Sequence, residues 1–274
     1  MTMACVRNKA GAGMNPRRYR ITIAYDGTHY SGYQLQSNGI SVQQRLEEVL
    51  GYLNRAPVRV FGSSRTDAGV HAKGFVAHFD LTKPIPPQNL PRAMNSRLPE
   101  DIRVLKASFA AQDFDARKDA TGKEYRYFLY NADILPPCLA PYWAFMHKAL
   151  DVDAMRVAAR CFVGRHDFAP FAANPHRVME TTVRTVFSFD VRKAGPRITF
   201  IVRGDGFLYK QVRSMVGFLV RVGLGDEPPS AVTEILDGCH PRTARVPTAT
   251  GRGLFLWKVF YGHRVAVPAS LPPK

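Results

Sequence analysis

The stretch GSSRTDAGVHAKGFVAHFD, residues 62–80, joins a polar loop to a regular strand pattern. From Gly74 onward the side chains alternate between two faces of a strand, one with Phe75, Ala77, Phe79 and Leu81 and the other with Val76, His78 and Asp80. A second short strand is predicted at Val58–Phe61, just before the loop. The polar segment Gly62–Ala72 therefore connects two strands.

Asp67 is the acidic residue of this loop, and Arg65 lies two positions before it. A loop tethered at both ends by core strands holds its side chains with little freedom, and catalytic groups are often presented in this way. A nearby positive charge favours the ionised carboxylate, which can attack carbon or accept a proton. A carboxylate ahead of Gly69 is also typical of a turn that accepts hydrogen bonds from backbone amides, so the spacing alone leaves both interpretations open.

The charge of the chain points to a polyanionic partner. Its 274 residues, 46% of them hydrophobic, are enough for one large domain or two similar lobes. They include 38 Lys and Arg against 22 Asp and Glu, a net charge of +16. The excess is +7 up to Pro137 and +9 beyond it, and such an even spread suits a long surface that follows a phosphate backbone. A basic protein without a nucleic-acid role is the alternative.

Several classes of function lack the residues they need. The chain has no GxSxG elbow, no GxxxxGK[ST] phosphate loop and no GxGxxG motif after a strand, which argues against hydrolases, nucleoside triphosphatases and dinucleotide-binding enzymes. The eight histidines include neither an HExxH nor an HxH arrangement, so we expect no metal site.

The cysteines and the hydropathy pattern indicate a cytoplasmic protein. The four cysteines lie far apart, at positions 5, 138, 161 and 239, without the CxxC pairs of a zinc site or the clustering of a disulfide framework. Arg213 and Arg221 interrupt the best apolar run, which stays short of the roughly 18 residues of a membrane span. The basic first residues lack the apolar segment of a signal peptide.

Strands and helices alternate along the chain in an order typical of the α+β class. Strands are predicted at Tyr19–Tyr25, Lys123–Asn131, Arg184–Val191 and Arg197–Arg203, and Gly204–Gly206 is predicted as a hairpin turn. Helices are predicted from a capping box at Ser41 and Gln44, at Asp151–Phe162 ahead of Gly164, at Tyr209–Val222, and as one short helix within Lys83–Asp101. Most strand pairs should be antiparallel.

The residues quoted at the outset resemble the signature of the tRNA pseudouridine synthase A family, whose motif centres on RTDAGVHA. The resemblance extends over most of the chain in the family's order. It includes YDGTHYSGYQLQ (25–36), SVQQRLEEVL (41–50), LPEDIRV (98–104), GKEYRYFLYN (122–131), GRHDFAPF (164–171), GDGFLYKQVRSMVGFLVRVG (204–223) and GRGLFLWKVFY (251–261).

The resemblance implies a pseudouridine synthase fold of the α+β class, with a central, mostly antiparallel sheet flanked by helices and two similar lobes around a cleft. With it, we expect an N-terminal lobe with the catalytic loop (18–114) and a C-terminal lobe (115–264). The residues themselves predict a basic flexible tail (1–17) and a loose tail (265–274).

The implied activity is that of an isomerase without a cofactor, which breaks the bond between uracil N1 and ribose C1′, rotates the base and rejoins it through C5. The implied substrate is the anticodon stem-loop of tRNA, at positions 38 to 40, bound by a homodimer. Members of the family tolerate a modest variation of sequence in this stem-loop, which is typical of proteins that recognise the shape and the phosphate backbone of an RNA.

The resemblance also assigns roles in the catalytic loop. Asp67 matches the family's catalytic carboxylate, which either adds to uracil C6 or acts at ribose C1′. Arg65 matches the arginine associated with flipping the target uridine out of its stack, a step that costs a few kcal/mol.

Other implied site residues lie far away in the sequence. Tyr125 matches the tyrosine that stacks on uracil, although a strand aromatic packed on the sheet is its ordinary interpretation. Arg213 matches the arginine that pairs with the catalytic carboxylate, but could also lie on an RNA-facing helix surface. Leu254 and Leu256 match an apolar wall of the pocket, or are core strand residues.

Three residues depart from the family pattern. Ser64 stands where glycine is common, Tyr33 where tryptophan is common and Gln211 where methionine is common. Ser64 would be strained if its position required a positive φ.

Two rival functions stay open. One is a basic RNA-binding or RNA-folding protein that keeps the fold without turnover. The other is an aspartate-based phosphoryl-transfer enzyme, but the sequence lacks the clustered acidic residues that would bind magnesium. The intact RTD, KEY and QVR elements favour the isomerase.

Overall fold

The computed structural model describes residues 15–173, 181–238 and 242–262. Within these ranges the strands are β1 (Arg17–Tyr25), β2 (Phe61–Gly62), β3 (His71–Leu81), β4 (Ile102–Phe109), β5 (Ala120–Asn131), β6 (Ala144–Met146), β7 (Gly164–Asp167), β8 (Val183–Ala194), β9 (Arg197–Gly204) and β10 (Leu254–Tyr261). The helices are α1 (Val42–Asn54), α2 (Leu90–Asn95), α3 (Val152–Cys161), α4 (Gln211–Gly223) and α5 (Ala231–Asp237). The described residues do not include the predicted tail 265–274, nor residues 1–14 of the predicted tail 1–17. Arg17, the last residue of that predicted N-terminal tail, belongs to β1.

The described strands form one sheet in the order β4-β1-β3-β10-β5-β9-β8-β7, with β2 paired to β3 and β6 paired to β5. Neighbouring strands run antiparallel, except that β10 is parallel to β3 and β6 is parallel to β5. The predicted α+β class and the mostly antiparallel sheet are therefore confirmed.

The last strand lies in the middle of the sheet. Leu256 of β10 pairs with Ala72 of β3 on one side and with Tyr125 of β5 on the other. Because β3 precedes the predicted lobe boundary at 114 and β5 follows it, β10 joins the strands of both predicted lobes. The starts of β3 and β10 are thereby brought beside the middle of β5, where Tyr125 lies.

Helix α1 begins at the predicted cap. Ser41 has an extended backbone, and its Oγ accepts a hydrogen bond from the backbone N–H of Gln44 at 3.1 Å. The Gln44 amide turns away and donates to Glu48 at 3.0 Å, so only one half of the predicted capping box is formed. Leu46 and Leu50 are fully buried, as the helical spacing predicted.

Several predicted boundaries were wrong. β2 covers only Phe61–Gly62 instead of Val58–Phe61, and β3 begins at His71 instead of Gly74. The segment Gly204–Gly206 is not a hairpin turn, because it leads from β9 into helix α4.

Helix α4 begins at Gln211, two residues later than predicted. Lys210 adopts a left-handed conformation with φ of 59°, which keeps it and Tyr209 out of the helix. Most of α4 is buried, and its most apolar stretch packs in the core. In the described part of the chain, no helix combines the length and the apolar character needed to cross a bilayer.

Candidate active site

Asp67 lies in the loop between β2 and β3, and the backbone of a neighbouring segment holds this loop on both sides of it. The N–H of Tyr33 donates to the carbonyl oxygen of Thr66 at 3.1 Å, and the N–H of Gly69 donates to the carbonyl oxygen of Tyr30 at 3.4 Å. The loop is thereby fixed immediately before and shortly after the carboxylate.

Gly32 makes this close approach of the two segments possible. Its φ of +105° lies in the region that favours glycine, and a Cβ there would stand 2.5 Å from the carbonyl oxygen of Thr66. The hydroxyl groups of Thr66 and Tyr25 share a hydrogen bond of 2.8 Å, and the Tyr33 ring stacks on Phe75 at 4.2 Å. The block YDGTHYSGYQLQ thus builds the support of the loop.

The carboxylate of Asp67 is bound by Arg213. Nη1 of Arg213 donates to Oδ2 of Asp67 at 2.7 Å, and the side chains are 14% and 16% exposed, respectively. Charge-assisted hydrogen bonds between such largely buried side chains are strong and directional. The structure therefore brings together the two residues that the family resemblance pairs, and the guanidinium that holds Asp67 belongs to Arg213, from helix α4.

Arg213 is itself fixed by the chain segment that follows α5. Its Nε donates to the carbonyl oxygen of Ala249 at 2.7 Å, and the N–H of Ala249 donates back to the carbonyl oxygen of Arg213 at 3.0 Å. Gly217 allows this segment to approach α4, because a Cβ there would lie 2.5 Å from the carbonyl oxygen of Pro247. The guanidinium is therefore held by Ala249 through Nε and donates to Asp67 through Nη1.

Tyr125 lies beside this pair, on the face of β5 that points into the site. Its hydroxyl shares a hydrogen bond of 3.0 Å with Oγ of Ser64, and its ring meets Phe207 edge-on at 5.4 Å. Burial raises the pKa of Tyr125 to about 12, with a further rise from the Asp67 charge and an opposing effect of the Ser64 hydrogen bond. The phenol is therefore protonated at neutral pH.

Ser64 is accommodated without backbone strain. In the described part of the chain, the residues other than glycine with positive φ are Arg55 and Lys210. The departure from glycine at position 64 therefore costs no unfavourable conformation, and it adds the hydroxyl that contacts Tyr125.

These groups line a cavity of about 200 Å³ between the loop, β5 and the start of α4. Its charged lining residues are Arg65, Asp67, Arg117, Lys123, Lys210 and Arg213. Five cationic side chains and one carboxylate thus line the cavity, and its net positive charge attracts an anionic ligand.

The other predicted site residues divide between the cavity and the core. Arg65 is exposed and lines the cavity, where it can reach toward solvent. Leu254 also lines it, whereas Leu256 is fully buried in the core and is absent from the lining. The apolar wall expected from both leucines is therefore formed by Leu254, with Leu256 behind it as a core residue.

Lys123 was missed as a site residue, although it belongs to the quoted KEY element. It lines the cavity two residues before Tyr125, and therefore on the same face of β5. Burial lowers the pKa of Lys123 to about 8, with a further decrease from the charges of Arg117 and Arg184. Strand alternation from Tyr125 is the signal that could have found it.

His71, the histidine of the quoted motif, has a structural position. It is fully buried, and its Nδ1 accepts a hydrogen bond from the N–H of Gly27 at 3.1 Å. Nε2 lies 3.1 Å from the carbonyl oxygen of Arg252 and 3.2 Å from that of Pro141, and burial lowers the pKa of the imidazole. His71 thus connects three distant segments to the end of the loop that carries Asp67.

Over residues 15–173, 181–238 and 242–262, no group of three His, Cys, Asp or Glu side chains is arranged to hold a metal ion.

Comparison with known proteins identifies the class. A family model described as tRNA pseudouridine synthase matches residues 21–117 and 158–262. The fold is accordingly that of a pseudouridine synthase, a class of isomerase. The chain belongs to the tRNA pseudouridine synthase family.

Its similarity to individual relatives extends over nearly the full length of both chains. It is 43% identical over 249 residues to tRNA pseudouridine synthase A of Exiguobacterium sibiricum, covering 89% of this chain and 97% of that protein. It is 45% identical over 242 residues to tRNA pseudouridine synthase A of Syntrophotalea carbinolica, covering 88% and 95%. It is 41% identical over 248 residues to tRNA pseudouridine synthase A 2 of Clostridium perfringens, covering 89% and 100%.

Proposed function

We propose that this protein isomerises uridine to pseudouridine in the anticodon stem-loop of tRNA, at positions 38 to 40, with Asp67 as the catalytic carboxylate. One observation carries the proposal. Arg213 binds the carboxylate of Asp67 at 2.7 Å on the wall of a cavity whose other charged lining residues are all cations. Such a cavity attracts an anionic RNA strand and offers it a single, aimed carboxylate.

The reaction exchanges one glycosidic bond for another. The bond between N1 and C1′ breaks, C1′ joins C5, a proton leaves C5 and N1 gains a proton, so nothing is consumed. Asp67 acts either by adding at C6 or at C1′, and both routes need an ionised, oriented carboxylate. Arg213 supplies the orientation, since its charge-assisted hydrogen bond to Oδ2 fixes the direction of the carboxylate.

The remaining site residues bind and orient the uridine. The Tyr125 ring stacks on the uracil, and its hydroxyl, with a pKa of about 12, acts in its protonated form at neutral pH. Arg65, exposed at the cavity, fills the space that the flipped nucleotide vacates. Leu254 provides the apolar wall, and Leu256 supports it from the core.

We also propose a cytoplasmic homodimer that binds tRNA. A band of half-buried aromatic rings on the sheet face away from the cavity supports dimerisation, because aromatic residues and arginine are enriched in protein interfaces. Trp257 of this band lies beneath Arg126 at 4.0 Å and Lys73 at 4.2 Å, and Phe128 packs against Phe255 at 5.3 Å. Light scattering should give about twice the chain mass of 30.6 kDa, and a monomer would refute this part.

The catalytic proposal is tested by release of tritium from C5-tritiated uridine in an unmodified tRNA transcript, with EDTA present and with mapping of the modified site. The intact protein should release label from positions 38 to 40, and Asp67→Asn should release none. Asp190→Asn is the matched control, because Asp190 is an exposed carboxylate on β8. Tight tRNA binding without any release by the intact protein would refute the isomerase and leave an RNA-binding protein.

A further inference from the structure

A second depression, of about 270 Å³, adjoins the candidate active site. Ser64, Arg65 and Arg117 line both the cavity and this depression, so these three residues form a shared rim. A chain molecule that enters one of the two spaces can therefore continue directly into the other.

The second depression is positively charged. Arg59, Arg65, Arg117 and Lys118 line it, and all four side chains are exposed. The acidic lining residue Asp115 is turned to the backbone, because its Oδ1 accepts from the N–H groups of Arg117 at 2.8 Å and Lys118 at 2.9 Å. Arg117 and Lys118 thus lie at the surface beside a carboxylate that already accepts two backbone hydrogen bonds, and Arg59 lies 3.7 Å from Glu47.

The loop that carries Arg117 and Lys118 is fixed in place before any ligand binds. The N–H of Ala116 donates to Nδ1 of the buried His78 at 3.0 Å, and the Tyr261 hydroxyl donates to the carbonyl oxygen of Ala116 at 2.6 Å. Binding to these cations therefore requires little ordering of the loop, which favours affinity.

The depression also offers an aromatic surface. Phe61 of β2 lines it and is 51% exposed. One side of its ring stacks on His78 at 5.1 Å with an interplanar angle of 17°. A rigidly backed ring with an exposed surface, surrounded by cations, is the arrangement that binds a nucleobase together with its phosphate.

We infer that this depression binds the nucleotide adjacent to the target uridine in the RNA strand. Its base stacks on Phe61, and its phosphate is held by Arg117 of the shared rim and by the adjacent Lys118. The inference rests on the proposed function, because it assumes that the uridine occupies the neighbouring cavity. It makes the flanking nucleotide part of what the enzyme recognises.

The test combines protein variants with altered RNA in an Asp67→Asn background, which separates binding from turnover. The RNA is an anticodon stem-loop in which the nucleotide on the 5′ or 3′ side of the target uridine is abasic. Phe61→Ala should weaken binding of the intact stem-loop by about tenfold. An abasic site on one side of the target uridine should weaken binding by the protein with Phe61 to a similar degree. Phe61→Ala with that abasic RNA should bind no more weakly than either change alone.

The cations are tested by the double variant Arg117→Ala with Lys118→Ala. It should weaken binding and lower the slope of log affinity against log salt by about two. The matched control is the double variant Arg192→Ala with Lys193→Ala, another exposed Arg-Lys pair. It lies close to the turn between β8 and β9, roughly 20 Å along the strands from Gly204 at the other end of β9.

Additive effects of Phe61→Ala and the abasic site, or unchanged binding by Phe61→Ala, would overturn the inference. Equal losses in the two Arg-Lys double variants would also overturn it, because the effect would then be one of net charge. Failure of the proposed function would show separately, as absence of tritium release by the unsubstituted protein.

Discussion

Asp67 and Arg213 are 146 positions apart in the sequence, yet Arg213 donates to the Asp67 carboxylate at 2.7 Å. The same guanidinium donates through Nε to the carbonyl oxygen of Ala249. One planar group therefore joins the loop that carries Asp67 to the segment before β10. This two-sided attachment sets the direction of the carboxylate, and a flexible ammonium group cannot reproduce it.

Arg213→Lys should accordingly lower kcat by about 10- to 100-fold with little change in KM, since one charged hydrogen bond and the alignment it gives are lost. Tritium release under saturating tRNA measures this effect. Arg160→Lys, at an exposed position of α3, is the control and should keep full activity. An unchanged kcat in Arg213→Lys would show that the planar, two-sided attachment of the guanidinium is not required.

Ser64 and Tyr125 should behave as one unit in catalysis. Their hydroxyl groups share a hydrogen bond of 3.0 Å next to Asp67, and such neutral bonds contribute about 1 kcal/mol. Ser64→Ala and Tyr125→Phe should each reduce the single-turnover rate by about fivefold, and the double variant should be no slower than the worse single one. Additive losses would show that the two hydroxyl groups act independently.

The local elements of this fold could be predicted because local sequence signals determine them. The alternation of Tyr19, Ile21 and Ile23 gave β1, and the cap at Ser41 gave the start of α1. The start of α4 could not be placed, because the left-handed conformation of Lys210 depends on the packing around it. Local patterns also contain no signal that the last strand lies between β3 and β5.

The candidate site was predictable only where a motif carried it. RTD, KEY and QVR pointed to Asp67, Tyr125 and Arg213, through a resemblance and not through spacing. Arg117 lines the cavity from a loop in which no motif was recognised, and only the folded chain places it there. Leu256 is the reverse case. Its position matches the family motif, but its side chain is buried in the core and does not line the cavity.

The affinity for RNA should depend on pH through Lys123. Burial lowers its pKa to about 8, so the amine is charged at pH 7 and mostly neutral at pH 9, and the cavity loses one positive charge in between. Binding of the stem-loop to the unsubstituted protein should therefore weaken by about fivefold as the pH rises from 7 to 9.

Lys123→Met should bind more weakly at pH 7 and show a flatter profile, whereas Lys258→Met, on the exposed side of β10, should keep the profile of the unsubstituted protein. Fluorescence anisotropy at constant ionic strength measures both. The same profile in Lys123→Met and the unsubstituted protein would contradict this assignment.

His71 should contribute stability that is present above pH 6.5 and lost in acid. Burial lowers its pKa in the folded protein below the ordinary 6.5, so the unfolded chain takes up the proton first and is favoured as the pH falls. His71→Gln should lower the free energy of unfolding by about 2 kcal/mol at pH 7, because buried partners lose their hydrogen bonds. Urea unfolding should show this difference shrinking towards pH 5.

The control is His29→Gln, at an exposed position, which should show no such difference in the free energy of unfolding. A constant effect of His71→Gln from pH 7 to pH 5 would contradict the titration of His71.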